Sequence, residues 1–166
     1  STQGDKEICN LLKRFGADVT VSENSVTVKK SNLRGIDIDA SQIPDLVPVL
    51  AVCGAGATGV TKIYNAERLR IKESDRLKTT MEAINNLGGM VAQLDDGLLI
   101  QGVGSLNGGK AEGCNDHRIV MASAVASIIA RNDVIVTDSH AIKKSYPDFF
   151  GDFKKLGGNV NVINNR

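Results

Sequence analysis

Internal repetition constrains this chain more than any other feature. Three stretches share one pattern: Leu12-Lys13-Arg14-Phe15-Gly16-Ala17-Asp18-Val19, Ile84-Asn85-Asn86-Leu87-Gly88-Gly89-Met90-Val91, and Phe153-Lys154-Lys155-Leu156-Gly157-Gly158-Asn159-Val160. Each reads as the end of an amphipathic helix, then glycine, then alternating strand residues. Gly16, Gly88 and Gly157 fall at the helix-stop position, where the backbone usually needs positive φ and glycine adopts it without a Cβ clash. Their near-equal spacing implies that one supersecondary unit is used more than once.

The segments between the stops match as well. Val19–Val21 and Ser25–Val28 read as a hairpin, followed by a strand at Ile36–Asp39, an apolar helix at Pro44–Ala55 and a strand at Thr58–Ile63. Met90–Leu94, Leu98–Gln101, Lys110–Glu112, His117–Ala130 and Val134–Thr137 repeat that order. Two full units are expected, over about 5–63 and 73–137. Part of a third, 146–163, is expected to hold one helix and one strand. Alternation of this kind predicts an α/β fold with sheets packed on helices. The helices at 44–55 and 117–130 are apolar nearly all round, so they should be central. The polar-faced helices Glu73–Leu87 and Pro147–Leu156 should lie outside. Pro48 is tolerable in a first helical turn.

Composition narrows the function classes. Of the 166 residues 42% are hydrophobic and 23% charged, which fits a soluble domain with a real core. A net charge of +1 gives no basic footprint for nucleic acid, and the absence of tryptophan weakens any base-stacking case. The apolar run Ile119–Ala130 is too short to span a bilayer. Cys9, Cys53 and Cys114 lie far apart, without metal-ligand spacing, and read as reduced thiols of a cytoplasmic protein. Cys114 is expected to be a small buried residue.

Charged clusters stand where helices are expected to begin: Arg68-Leu69-Arg70-Ile71-Lys72-Glu73-Ser74-Asp75-Arg76, Asn115-Asp116-His117-Arg118, and Lys143-Lys144-Ser145-Tyr146-Pro147-Asp148. A helix N-terminus is partially positive, so Lys72, Arg76, Arg118 and Lys144 would oppose the local field there. An anion shared between helix N–H groups and these cations would reverse that balance, and phosphate is the natural candidate. Any one cluster alone would read as a solvated charged face, and His117 alone as a structural histidine. Three clusters in matching places of a repeat favour function. Asp45, at the start of the first apolar helix, reads as a cap. By the repeat it also stands where Asp116 and His117 stand in the second unit. With Glu73 it supplies carboxylates beside cations, as proton transfer at a phosphorylated substrate needs.

Arg70-Ile71-Lys72-Glu73-Ser74-Asp75-Arg76 resembles the R-x-K-E-[ST]-D-R signature of the 5-enolpyruvylshikimate-3-phosphate (EPSP) synthase family. Asn115-Asp116-His117-Arg118 with Met121, Lys144-Ser145-Tyr146-Pro147-Asp148-Phe149-Phe150, and Ile43-Pro44-Asp45 match further family segments in the right order. The resemblance implies an inside-out α/β barrel domain of repeated βαβαββ units, with a partner domain, the N-terminal part of the enzyme, missing from this chain. It implies transfer of the enolpyruvyl group of phosphoenolpyruvate to the 5-hydroxyl of shikimate 3-phosphate, in aromatic amino acid biosynthesis, with no metal or organic cofactor. Residue by residue, it assigns Asp45 and Glu73 to proton transfer, with Asp45 also touching the shikimate hydroxyl. It assigns Arg76, Arg118 and Lys144 to phosphoenolpyruvate, Lys72 to the shikimate phosphate, and Arg68 and His117 to the site's surroundings. The family's N-terminal contacts have no match here, so the chain alone is expected to be inactive. The rival readings are an enolpyruvyl transferase acting on UDP-N-acetylglucosamine and a non-catalytic domain of the same fold.

Overall fold

The computed structural model describes residues 4–164. A 3-10 turn, Gly4–Glu7, leads into α1 (Ile8–Arg14), which ends at Gly16 with φ 97°. The chain then forms the hairpin β1 (Asp18–Val21) and β2 (Val26–Lys29), followed by β3 (Asp37–Asp39). A 3-10 turn, Pro44–Leu46, opens α2 (Val47–Gly56), and β4 (Val60–Tyr64) closes the first series. Pro48 sits within the first two positions of α2, where its missing N–H has no helical partner to lose.

The second series is α3 (Arg76–Asn86), β5 (Met90–Gln93), β6 (Leu98–Gln101), β7 (Gly109–Ala111), α4 (His117–Ala126) and β8 (Val134–Val136). Its strand pairing copies the first at one constant offset. The antiparallel pair Val19↔Val28 recurs as Val91↔Ile100, and the parallel pair Asp39↔Tyr64 recurs as Ala111↔Val136. Even the isolated bridge Arg34↔Thr58 recurs as Leu106↔Ala130. The same offset takes Asp45 to His117.

The two series are stitched together by β4 and β6, which pair antiparallel with Thr61 opposite Ile100. This gives a four-stranded sheet, β3-β4-β6-β5, flanked by the two-stranded sheets β1-β2 and β7-β8. The described residues form these three open sheets, none of them closed, packed with helices as the expected α/β fold requires.

The two apolar helices lie at the centre, as their composition requires. α2 buries Val47, Leu50, Ala51, Val52 and Ala55, and α4 buries Ile119, Val120, Ala122, Ala124 and Ala126. Both join the main core with Phe15, Leu77, Leu87 and Leu98. At Gly54 an added Cβ would stand 3.0 Å from Thr61, so a small residue lets α2 lie close on the sheet. α3 buries one face and exposes the other, whereas α5 (Phe149–Lys155) buries no residue fully. None of the described helices is long and apolar enough to cross a membrane.

Two expectations fail locally. The third-unit strand at Asn159–Val162 does not form, although Gly157 makes the predicted left-handed stop at φ 98°. A strand needs a neighbour, and no described segment pairs with these residues. Cys114 is exposed, not buried, and occupies a left-handed turn with φ 52°. Cys53, by contrast, is half-buried, and burial pushes its thiol up to about 11.

Candidate active site

The signature loop is fixed at both ends by its own side chains. It follows the 3-10 turn Glu67–Ile71 and ends at Asp75, which caps α3 by accepting from the Lys78 N–H at 3.3 Å. Arg70 pairs with Asp75 at 3.3 Å, and its Nη2 donates to the carbonyls of Leu94 and Asp95 in the β5–β6 turn. The loop is thereby pinned to the second hairpin.

A second turn, Gly113-Cys114-Asn115, delivers α4. Cys114 and Asn115 are both left-handed, with φ 52° and 51°. Gly113 packs so tightly that an added Cβ would lie 2.3 Å from the Thr137 carbonyl oxygen. The Asn115 N–H donates to Asp138 at 3.0 Å, and the Asn115 carbonyl accepts from Lys144 Nζ. Asp116 then caps α4, its Oδ1 accepting from the Arg118 N–H at 3.0 Å.

Arg76 joins these pieces. It is 1% exposed, and four of its hydrogen bonds go to carboxylates. Nε donates to Asp116 Oδ2 at 2.8 Å and Nη2 to Asp116 Oδ1 at 3.1 Å. Nη2 also donates to Glu73 Oε2 at 2.6 Å, and Nη1 to Asp45 Oδ1 at 2.9 Å. A guanidinium has five N–H donors, so one, on Nη1, is left over. A buried charge must be paired, and here three carboxylates from three elements do so. Arg76 is buried, not on the surface, and it joins these carboxylates.

Around this buried pair lie two partly exposed cations and a buried histidine. Lys72 Nζ is 3.5 Å from Asp45 Oδ1, and Arg118 Nη2 is 3.9 Å from Asp45 Oδ2. His117 Nδ1 is 3.8 Å from Glu73 Oε1. His117 Nδ1 and Arg118 Nε are buried without a hydrogen-bond partner among the described residues. Lys144 is exposed and reaches the same turn through Asn115. Arg68 is exposed on the 3-10 turn and makes no ion pair among the described residues.

Two of the four cations stand at helix starts, against the local field, and two do not. Arg76 opens α3 and Arg118 lies in the first turn of α4, each under a capping aspartate. Lys72 and Lys144 stand instead at the C-terminal ends of 3-10 turns, Glu67–Ile71 and Ser139–Lys144, where a cation suits the local dipole.

Electrostatics sharpen the picture. Burial pushes the Asp116 carboxyl up, but hydrogen bonds from Arg76 and Ser74 and the Arg76 charge outweigh it and hold the group below the usual carboxylate value. Burial is also the main influence on His117, which it lowers. Glu73 opposes this, Arg76 and Arg118 add to it, and the net shift is downward. A neutral imidazole beside a carboxylate, with cations on the rim, can take part in moving a proton next to a bound anion. Sequence reasoning missed the weight of Asp116 and Ser74. Ser74 Oγ donates to Asp116 Oδ2 at 2.8 Å, a contact 42 positions apart that no local pattern announces.

The EPSP synthase (3-phosphoshikimate 1-carboxyvinyltransferase) family profile matches residues 1–153. A 3-phosphoshikimate 1-carboxyvinyltransferase of Clostridium novyi is 52% identical over 158 residues, covering 95% of this chain and 36% of that protein. One from Methanococcus maripaludis is 43% identical over 164 residues, covering 98% and 38%. The structure of EPSP synthase from Acinetobacter baumannii superposes with a TM-score of 0.85 at 27% identity, covering 93% of this chain and 39% of that one. The enolpyruvyl transferase NikO from Streptomyces tendae gives a TM-score of 0.76 at 25% identity, covering 92% and 35%. The chain thus spans well under half the length of the curated relatives it matches. With the profile match across most of its length, and relatives that share about half its residues, the chain belongs to the EPSP synthase family.

Proposed function

We propose that this chain supplies one wall of an enolpyruvyl transferase site. There the 5-hydroxyl of shikimate 3-phosphate adds to the substituted enol carbon of phosphoenolpyruvate, and inorganic phosphate then leaves. One observation carries the reading. Two carboxylates, Asp45 and Glu73, are held on one buried guanidinium at 2.9 and 2.6 Å, and the partly exposed cations Lys72 and Arg118, from two separate charged clusters, stand beside Asp45.

The chemistry divides accordingly. Addition needs a proton taken from the hydroxyl and one given to the terminal enol carbon. Loss of phosphate needs that methyl proton removed again. Asp45 and Glu73 are the exchanging carboxylates, with Asp45 also holding the acceptor hydroxyl. Arg118, Lys144 and the spare Nη1–H of Arg76 hold the carboxylate and phosphate of phosphoenolpyruvate, because charge-assisted contacts to those oxygens are strong. Lys72 places the shikimate phosphate. His117 lies against Glu73, and Arg68 lies on the rim. The other wall belongs to the remaining length that the relatives have and this chain does not. Orientation carries much of such catalysis, so the chain alone turns over nothing.

The test is to supply the missing length. The chain is co-expressed with the N-terminal portion of a relative and assayed with both substrates for phosphate and for the enolpyruvyl ether, identified by mass. Equal amounts of the two products from the pair, and none from the chain alone, are expected. A pair that binds both substrates yet forms no ether refutes the proposal.

A further inference from the structure

Asp116 has no solvent-exposed surface, so it cannot touch a substrate. All its bonding capacity is nonetheless directed at the site. Oδ2 accepts from Arg76 Nε and from Ser74 Oγ, both at 2.8 Å. Oδ1 accepts from Arg76 Nη2 at 3.1 Å and from the Arg118 N–H at 3.0 Å. The two bonds to Arg76 are a paired contact along one edge of a rigid planar group, which leaves the guanidinium no freedom to turn. The opposite side of that plane then points to fixed places, and Asp45 and Glu73 occupy them. Both carboxylates are more than a third exposed, and among the described residues Arg76 alone hydrogen-bonds to either side chain.

We propose that Asp116 is a positioning residue for the reaction: it sets the plane of the Arg76 guanidinium and, through it, the separation of Asp45 and Glu73. This rests on the function proposed above. The competing role is structural, with Asp116 as the cap of α4 and nothing more. Asparagine separates the two. It caps helices about as well as aspartate. It offers one acceptor where aspartate offers two, so with its oxygen kept at the cap its amide faces Arg76 Nε, donor against donor.

The test uses Asp116→Asn in two settings. In the 166-residue chain, the Arg76 Nε–H resonance should be sharp and slow to exchange in the natural protein and lost in the variant, while the Arg118 backbone amide stays protected. In the reconstituted pair, kcat should fall about 10- to 100-fold with KM nearly unchanged, the signature of misplaced reacting groups. Arg76→Lys, which keeps the charge and loses the plane, should give a similar fall. The double variant should add little, because both act on one contact. Persistence of the Nε–H signal, an unchanged kcat once that signal is gone, or falls that multiply in the double variant would each overturn the proposal. Should Asp116→Asn not fold, Arg76→Lys decides: an unchanged kcat rejects positioning through the guanidinium. An inactive pair made with the natural chain would count against the proposed function, and the resonance would then decide the role of Asp116.

Discussion

Asp45 and Arg76 meet at 2.9 Å although they lie 31 positions apart and in different repeats. The contact joins the turn that opens α2 to the residue that opens α3, so the site exists only when the two units are packed together. Removing the guanidinium strands the fully buried Asp116 carboxylate. Arg76→Met should therefore destabilise the chain by about 3–5 kcal/mol, as breaking a buried pair does. Urea unfolding followed by circular dichroism measures it, and a change below about 1 kcal/mol, the scale of an exposed pair, would show that the cluster is not buried in solution.

Acid should act through the same pair. The folded Asp116 carboxyl lies below the ordinary carboxylate value, so the folded chain binds fewer protons there than the unfolded chain. Its contribution is complete above the ordinary value and is lost as pH falls through the lowered folded one. Urea midpoints between pH 5 and pH 2 should fall more steeply in the natural chain than in Asp116→Asn. Parallel curves would count against this placement of the charge.

His117 reports on Glu73. Its folded value lies below the ordinary 6.5, with burial the main cause and Glu73 opposing it. Stability contributed by the neutral ring is complete above the ordinary value and declines as pH falls toward the lowered one. Proton NMR of the imidazole should show a midpoint below 6.5, and Glu73→Gln should lower it further. A rise in that variant would mean that the carboxylate does not face the ring.

The glycine stops test the repeat energetically. Gly88 has φ 95°, and an added Cβ would stand 2.7 Å from Asn107 Nδ2. Gly157 has φ 98° with open space around it. Both alanine variants carry the left-handed cost of about 1–2 kcal/mol. Gly88→Ala carries the clash with Asn107 as well and should melt lower than Gly157→Ala. Equal melting temperatures would contradict the packing at the second stop.

Those stops were legible because a left-handed helix end must be written locally, as were the hairpins and the two apolar helices. The site was legible only in outline. Its residue types announced cations and carboxylates, yet the burial of Arg76 depends on Asp116, 40 positions away, and on α4 packing against α3. The exposure of Cys114 and the placement of Lys72 and Lys144 after 3-10 turns depend on backbone turns with no strong residue code. Asn159–Val162 reads as a strand, but strand formation requires a neighbour, which a single segment cannot specify.

In the proposed function, cations from three charged clusters, Lys72 with Arg76, Arg118, and Lys144, serve one anion. A titration of the isotopically labelled chain with phosphoenolpyruvate, followed by backbone amide NMR, tests it most directly. Binding should be weak, about millimolar, which corresponds to only about 4 kcal/mol. Shifts should gather at residues 72–76, 115–118 and 144. Arg118→Ala should remove a charge-assisted contact of about 1.5–3 kcal/mol and abolish the response. Lys13→Ala, on α1 away from the clusters, should leave it unchanged. Shifts scattered evenly over the surface, or equal loss in both variants, would contradict the claim and reduce these side chains to solvated charges.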